Sequence, residues 1–283
     1  MGAFASHLMP TTMARTPDPH AIPPTPAGVR RTQTFMAVLA LGMVALMAYF
    51  LATMNLPTWT RVTSGFERNA VPLLRGFVDP NWGVFDLASR AMLETVFMAV
   101  IGTVIGGLLA FPMAFLAANN LLGSRLLAFP GKTVLVAIRT FPEILFAIIF
   151  VAAMGPGPIA GILAMGVNSV GFLGKVFSDV VEGIDGGPSE AIRAAGGNGL
   201  HVFFFSVVPQ VLPEFASYLL YRFEINLRAA SVLGLVGAGG IGAPLIQRLQ
   251  FRRWDEISMI MIVIVVTIIV VDTLSSSVRR RLV

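Results

Sequence analysis

The apolar residues of this chain run in blocks of about 20, and most of its ionisable residues stand between the blocks. A block of that length crosses the hydrocarbon core of a bilayer as one helix, and a helix satisfies its own backbone N–H and C=O groups where no water is present. The pattern restricts the chain to an all-α integral membrane protein of about six spans. Only 12% of its residues are charged and 55% are hydrophobic. A soluble domain would carry about 25% charged residues to coat its surface. The net charge of +5 would suit nucleic-acid binding in a soluble protein, but here the basic residues flank apolar blocks, where they orient helices. The absence of cysteine removes disulfides, thiolate metal sites and thiol nucleophiles.

Pro10, Pro17, Pro19, Pro23, Pro24 and Pro26 oppose helix in residues 1–33, which read as a disordered cytoplasmic tail. Residues 34–86 hold the first span and an external loop, with Trp59 and Trp82 suited to the membrane interface. The core, residues 87–275, opens on a span beginning at 87, with Asp86 as its N-cap. A third span over 133–154 is interrupted at Arg139–Thr140–Phe141–Pro142–Glu143, where Pro142 predicts a kink. Arg139 and Glu143 stand four apart and could pair on one helical face. Further spans cover 159–177, 202–221 and 257–274, and residues 276–283 form a basic cytoplasmic tail. Both termini are then inside. The segment after 221 strains this topology: it should lie outside, yet it carries Arg222, Arg228, Arg248, Arg252 and Arg253 against Glu224, Asp255 and Glu256. Part of it is expected to fold back between helices.

Between the fourth and fifth spans, Gly186–Gly187–Pro188 ends one element and Ser189 can cap a new helix, with Glu190 in its first turn. Gly196 and Gly197 can end it, and Asn198–Gly199 makes a turn. The short cytoplasmic helix near 189–197 is either a plain connector or a small-residue ridge for a partner. Gly131–Lys132–Thr133 lacks the upstream glycine of a phosphate-binding loop, so the chain is read as no enzyme, and any driving energy comes from a separate ATPase or an ion gradient.

Glu190–Ala191–Ile192, then Gly196, then Val208–Pro209, resembles the loop signature of importer permeases driven by ATP-binding cassettes. Ile192 replaces a second alanine, and Ser206 stands where the family often has Ile. The run from Pro209 through Tyr221–Arg222–Phe223–Glu224 to Gly237–Ala238–Gly239–Gly240–Ile241–Gly242 looks like the permease of a phosphonate importer. The resemblance implies a type I importer fold in a bacterial inner membrane. Its partners would be a second copy of the chain, two cytoplasmic ATPase subunits and a periplasmic solute-binding protein. ATP and Mg would be used on the ATPase, with no cofactor in this chain. The carried-over coupling residues are Glu190, Ala191, Gly196 and Pro209.

Gly237, Gly239 and Gly242 also satisfy the G-x-G-x-x-G spacing of dinucleotide sites, but that motif needs a strand–helix–strand setting, and membrane spans flank it here. Close packing and substrate gating both remain open for this run. Arginine suits phosphate-like oxygens. The candidate substrate path is therefore Arg139, Glu143, Arg222, Arg228, Gly237, Gly239 and Gly242. Methionine, phosphate and phosphite permeases are the alternatives within the family. A secondary transporter would need ion-coupling carboxylates, for which the spans offer only Glu94 and Glu143, and usually an internal repeat. A structural membrane protein is the third class.

Overall fold

The computed structural model describes residues 27–53, 59–118 and 125–281. Of the tail expected over residues 1–33, residues 1–26 lie outside them, and residues 27–33 instead form the start of a helix. Five described helices are long and apolar enough to cross a membrane, or six if one sharply bent pair counts as a span. The chain divides into two compact units, residues 1–63 and 64–283. In the first, helix α1 (Ala27–Thr53) starts earlier than the expected 34, and its described side chains are exposed. Helix α2 (Trp59–Val78) lies mostly in the second unit, where Ser258 Oγ donates to Leu73 O at 3.1 Å.

The rest of the second unit is built from α3 (Phe85–Ala117), α4 (Arg125–Thr140), α5 (Glu143–Met154), α6 (Pro158–Glu182), α7 (Gly187–Ala194), α8 (Val208–Leu233), α9 (Gly242–Gln250) and α10 (Trp254–Arg279). Asp86 lies inside the first turn of α3 rather than capping it. The cap falls earlier: Asn81 Oδ1 accepts from Gly83 N–H at 3.0 Å and starts a 3-10 turn over Trp82–Val84.

Lipid tails are as apolar as leucine, so close packing and hydrogen bonds hold membrane helices together. Helices α3 and α6 meet through small residues. A methyl group at Gly106 would overlap Ser169, and Gly166 O would lie 3.0 Å from it. Towards one end of this crossing Phe177 stacks on Phe215 with ring centroids 3.9 Å apart, Phe111 meets Phe215 edge-on and Phe115 lies tilted beside it. The kink at Pro142 is present and sharp: α4 and α5 meet at 83°. Proline has no N–H to donate, and its ring disfavours helical geometry in the preceding residue.

Helix α8 corrects two expectations. It does not end at Tyr221 but continues to Leu233, so Arg222, Glu224 and Arg228 belong to a span and not to an external loop. Their charges are paired within the bundle: Arg222 with Glu143, Arg279 with Glu224 at 2.9 Å, and Arg228 with Asp272 at 2.9 Å. Beyond the span, Arg248 and Arg253 both reach Glu256. Most of the charge that strained the expected topology is thus paired. Pro209 comes directly after a π-helical turn over Phe203–Val207, inside a helix that is continuous from Gly199.

Candidate functional site

A buried polar cluster joins α3, α5, α6 and α8. Arg222 and Asn226 stand one turn apart on α8 and point the same way, at 4% and 0% exposure. Arg222 Nε donates to Ser169 Oγ at 2.9 Å, and its Nη2 donates to Asn168 Oδ1 at 2.6 Å. Asn226 Nδ2 donates to Ser169 Oγ at 3.0 Å and to Thr103 Oγ1 at 2.8 Å. Thr103 passes its own proton back to Ala99 O at 2.6 Å. Ser169 is therefore the hub, lying mid-length on α6 where Gly106 permits the close approach of α3. A buried arginine away from water is costly unless its donors are met. Here neutral oxygens of α6 meet two of them.

The charge is balanced from α5. Glu143 Oε2 lies 3.4 Å from Arg222 Nη2, and the Glu143 side chain is 15% exposed. The expected Arg139–Glu143 pair does not form. The helix breaks between them, so their four-residue spacing no longer describes one face. Among the described residues Arg139 makes no ion pair; it is exposed in the last turn of α4. Its guanidinium carbon stands 6.0 Å from the centroid of the Phe172 ring, and that of Arg222 stands 5.3 Å from the same ring. Asn168 Nδ2 donates to Phe141 O at 3.3 Å, tying the break to α6.

The glycine-rich run lies elsewhere in the bundle. Gly237, Gly239 and Gly240 have φ of 87°, 80° and 71°, a region open to glycine at little cost. The turn is pinned from two sides. Glu94 Oε1 accepts from Gly240 N–H at 3.1 Å and Thr95 Oγ1 accepts from Ile241 N–H at 2.7 Å, while Gly157 N–H donates to Gly237 O at 2.9 Å. Gly242 opens α9 and packs against Gly234. Arg228, paired with Asp272, makes none of the contacts of the Arg222 cluster.

Helix α7 forms a second, exposed surface. It starts at Gly187, and Asp185 Oδ1 accepts the Gly187 N–H at 3.0 Å. Ser189, expected as the cap, instead shares a 2.8 Å hydrogen bond with Ser206 Oγ at the base of α8. Glu190 is in the first turn, as expected. Gly196, at φ 85°, donates to Arg193 O, and Gly197 donates to Ile192 O, which together make a Schellman close. Gln210 ties the segment to α8: its Oε1 accepts from Asp185 N–H at 3.1 Å, and its Nε2 donates to Ser206 O at 3.0 Å. Glu190, Ala191, Gly196 and Pro209 are all exposed. Beside them Leu200, Phe204 and Phe205 are exposed at 67%, 58% and 72%.

Sequence reasoning passed over Asn168, Ser169, Phe172, Asn226 and Thr103. The available signal was isolated polar residues, Asn168–Ser169 and Asn226, within apolar helical runs.

Residues 110–283 match the family described as binding-protein-dependent transport system inner membrane component. The chain is 39% identical over 202 residues to the phosphite transport system permease protein PtxC of Stutzerimonas stutzeri, covering 71% of this chain and 74% of that one. It is 38% identical over 228 residues to the phosphate-import permease protein PhnE of Mycolicibacterium smegmatis, covering 80% of this chain but 41% of that longer one. Its fold is similar to a chain of the inward-facing MetNI methionine ABC transporter, with a TM-score of 0.63 at 19% identity, covering 72% of this chain and 99% of that one.

Proposed function

We propose, because the chain belongs to the family of binding-protein-dependent transport system inner membrane components, that it forms the transmembrane path of an importer for small phosphorus oxyanions, phosphonates first among them. It is an ABC importer permease subunit, a multi-pass protein of the bacterial inner membrane. A second copy completes the path, ATP and Mg are used on two cytoplasmic ATPase subunits, and a periplasmic binding protein delivers the solute.

One observation carries the path reading: the helix break between α4 and α5 exposes Arg139 beside the buried Arg222–Glu143 pair. An arginine amid apolar helices is expensive against lipid and belongs on a water-lined face. The path therefore runs along this break, with the glycine-rich turn over Gly237–Gly242 at its outer end. Arginine offers a planar set of donors matched to phosphonate oxygens. Arg222 is held by Ser169 and Asn168 in a fixed pose.

Coupling runs through α7. Glu190, Ala191 and Gly196, with Pro209 and the exposed Leu200, Phe204 and Phe205 beside them, dock against the ATPase. The ties from Gln210 to residue 185 and from Ser189 to Ser206 carry the motion of α7 into α8, whose far part bears Arg222.

Deleting the gene is expected to abolish growth on methylphosphonate as sole phosphorus source in a cell with no other route, and to abolish uptake of the labelled compound. Unchanged methylphosphonate uptake, with loss of phosphite or phosphate uptake, would reassign the solute within the same class.

A further inference from the structure

The Glu143–Arg222 contact is an uneven pair. Its 3.4 Å separation is long beside the about 2.7–2.9 Å of a strong charge-assisted bond. Among the described residues the second oxygen of Glu143 is buried with no hydrogen-bond partner. The neutral partners of Arg222 sit closer, Ser169 at 2.9 Å and Asn168 at 2.6 Å, and both belong to α6. Neither of those bonds involves Glu143. Glu143 is thus the detachable member of the cluster.

It also stands on an element set off from its neighbour by a break in the helix. Helix α5 begins directly after the proline break, bent 83° from α4, so no continuous helix fixes its angle. Its other end leads into Gly155–Pro158, which is tied to the glycine-rich turn through Gly157 N–H and Gly237 O. A displacement of that turn pulls on one end of α5 and moves Glu143 at the other. Arg139 and Arg222 approach one Phe172 ring, and of the two only Arg222 is paired with a carboxylate among the described residues.

We infer that Glu143 is an exchangeable counter-ion, which neutralises Arg222 in this conformation, yields its place to a tetrahedral phosphorus oxyanion when α5 swings, and displaces that anion on its return. The inference rests on the proposed path along the helix break. It answers a difficulty of any arginine-lined path, since a buried guanidinium with open donors would hold a phosphate-like anion too long. A tethered carboxylate competes for the same donors at each closure and makes the site transient.

The test uses the full complex of permease, ATPase and binding protein in proteoliposomes, with radiolabelled methylphosphonate and phosphite as probes. Glu143→Gln keeps the shape and removes the competing charge. It is expected to bind label in the permease at least about tenfold more tightly than wild type, and to slow uptake. In the double variant Glu143→Gln/Arg222→Gln the extra retention should vanish. Glu143→Asp, which keeps the charge, should retain label as weakly as wild type. Wild-type retention and uptake in Glu143→Gln would overturn the counter-ion role while leaving the path reading intact. So would retention that survives loss of Arg222, or tight retention in Glu143→Asp. A wild-type complex that hydrolyses ATP normally yet moves neither probe would reject the oxyanion path and the counter-ion role with it.

Discussion

Glu94 Oε1 accepts the backbone N–H of Gly240 at 3.1 Å, so a carboxylate on α3 holds the glycine-rich turn that closes the end of α8. Thr95, the next residue, holds Ile241 in the same way at 2.7 Å. Hydrogen bonds to a charged group contribute about 1.5–3 kcal/mol each. Glu94→Ala should therefore loosen the turn, whereas Glu94→Gln keeps an acceptor and should lose less. Amide hydrogen exchange at Gly240 and Ile241 in the purified permease measures this directly. Equal protection in wild type and Glu94→Ala would remove the turn-holding role.

Gly239 tests the same turn by shape. Its φ is 80°, and an added methyl group would lie 2.8 Å from Pro158 N. The left-handed conformation alone costs about 1–2 kcal/mol for a residue with a side chain. Gly239→Ala is expected to lower the thermal midpoint in detergent and to weaken the Gly157–Gly237 tie. Gly42→Ala, in a helix with nothing within 4 Å of the added group, is the matched control and should leave the midpoint unchanged or raise it.

The α3–α6 crossing gives a sharper packing prediction. At Gly106 a methyl group overlaps Ser169, the hub of the Arg222 cluster. Overpacking of this kind costs about 1–3 kcal/mol. Gly106→Val should force Ser169 away from Arg222 and Asn226, lower the thermal midpoint, and reduce transport more than its effect on stability accounts for. A variant with the wild-type midpoint and wild-type uptake would show that the crossing is not tight in the membrane.

How legible this was in the sequence differs by element. The break at Pro142 was readable because a proline inside an apolar run has a local cause and a local effect. The same holds for α7, whose glycine close depends on neighbours in sequence. The partners of Arg222 were not readable. Ser169 lies 53 residues away, and Asn226 reaches Thr103 across 123. Nothing in helical periodicity says which polar side chains from distant helices will meet. The sequence reading ends the fifth span at Tyr221, where Arg222 and Glu224 follow. In a bundle, paired charges such as Arg222–Glu143 continue the span instead. Arg139 and Glu143 show the converse error, where a spacing rule for one helix was applied across a break.

Topology can be tested without background, since the chain has no cysteine. Asp185→Cys, beside α7, is expected to resist a membrane-impermeant thiol reagent in intact cells and to react after permeabilisation. Trp82→Cys, at the opposite end of α3 and exposed at 71%, should react from outside. Labelling of position 185 in intact cells would overturn the orientation and, with it, docking of α7 on a cytoplasmic ATPase.

The last prediction separates docking from folding on α7. Glu190 is exposed in the first turn, where its charge favours the helix N-terminus by about 0.3–1 kcal/mol. Losing that much cannot unfold a bundle held by the α3–α6 and α6–α8 contacts. A charge pair buried at an interface is a different matter, since removing one partner costs about 2–5 kcal/mol. That exceeds the 1.4 kcal/mol that changes an affinity by about tenfold. Glu190→Ala should therefore insert and melt like wild type while ATPase association weakens by at least about tenfold. Solute-stimulated hydrolysis should fall in step. Gly196→Val fails by another route, because φ of 85° strains a β-branched residue even though nothing lies within 4 Å of an added Cβ. It should disturb the Schellman close, raise hydrogen exchange at Gly197, and weaken association even with Glu190 present. If Glu190→Ala binds the ATPase and supports coupled hydrolysis as wild type does, the charge is not part of the docking surface. The apolar group of Leu200, Phe204 and Phe205 would then be left to carry it.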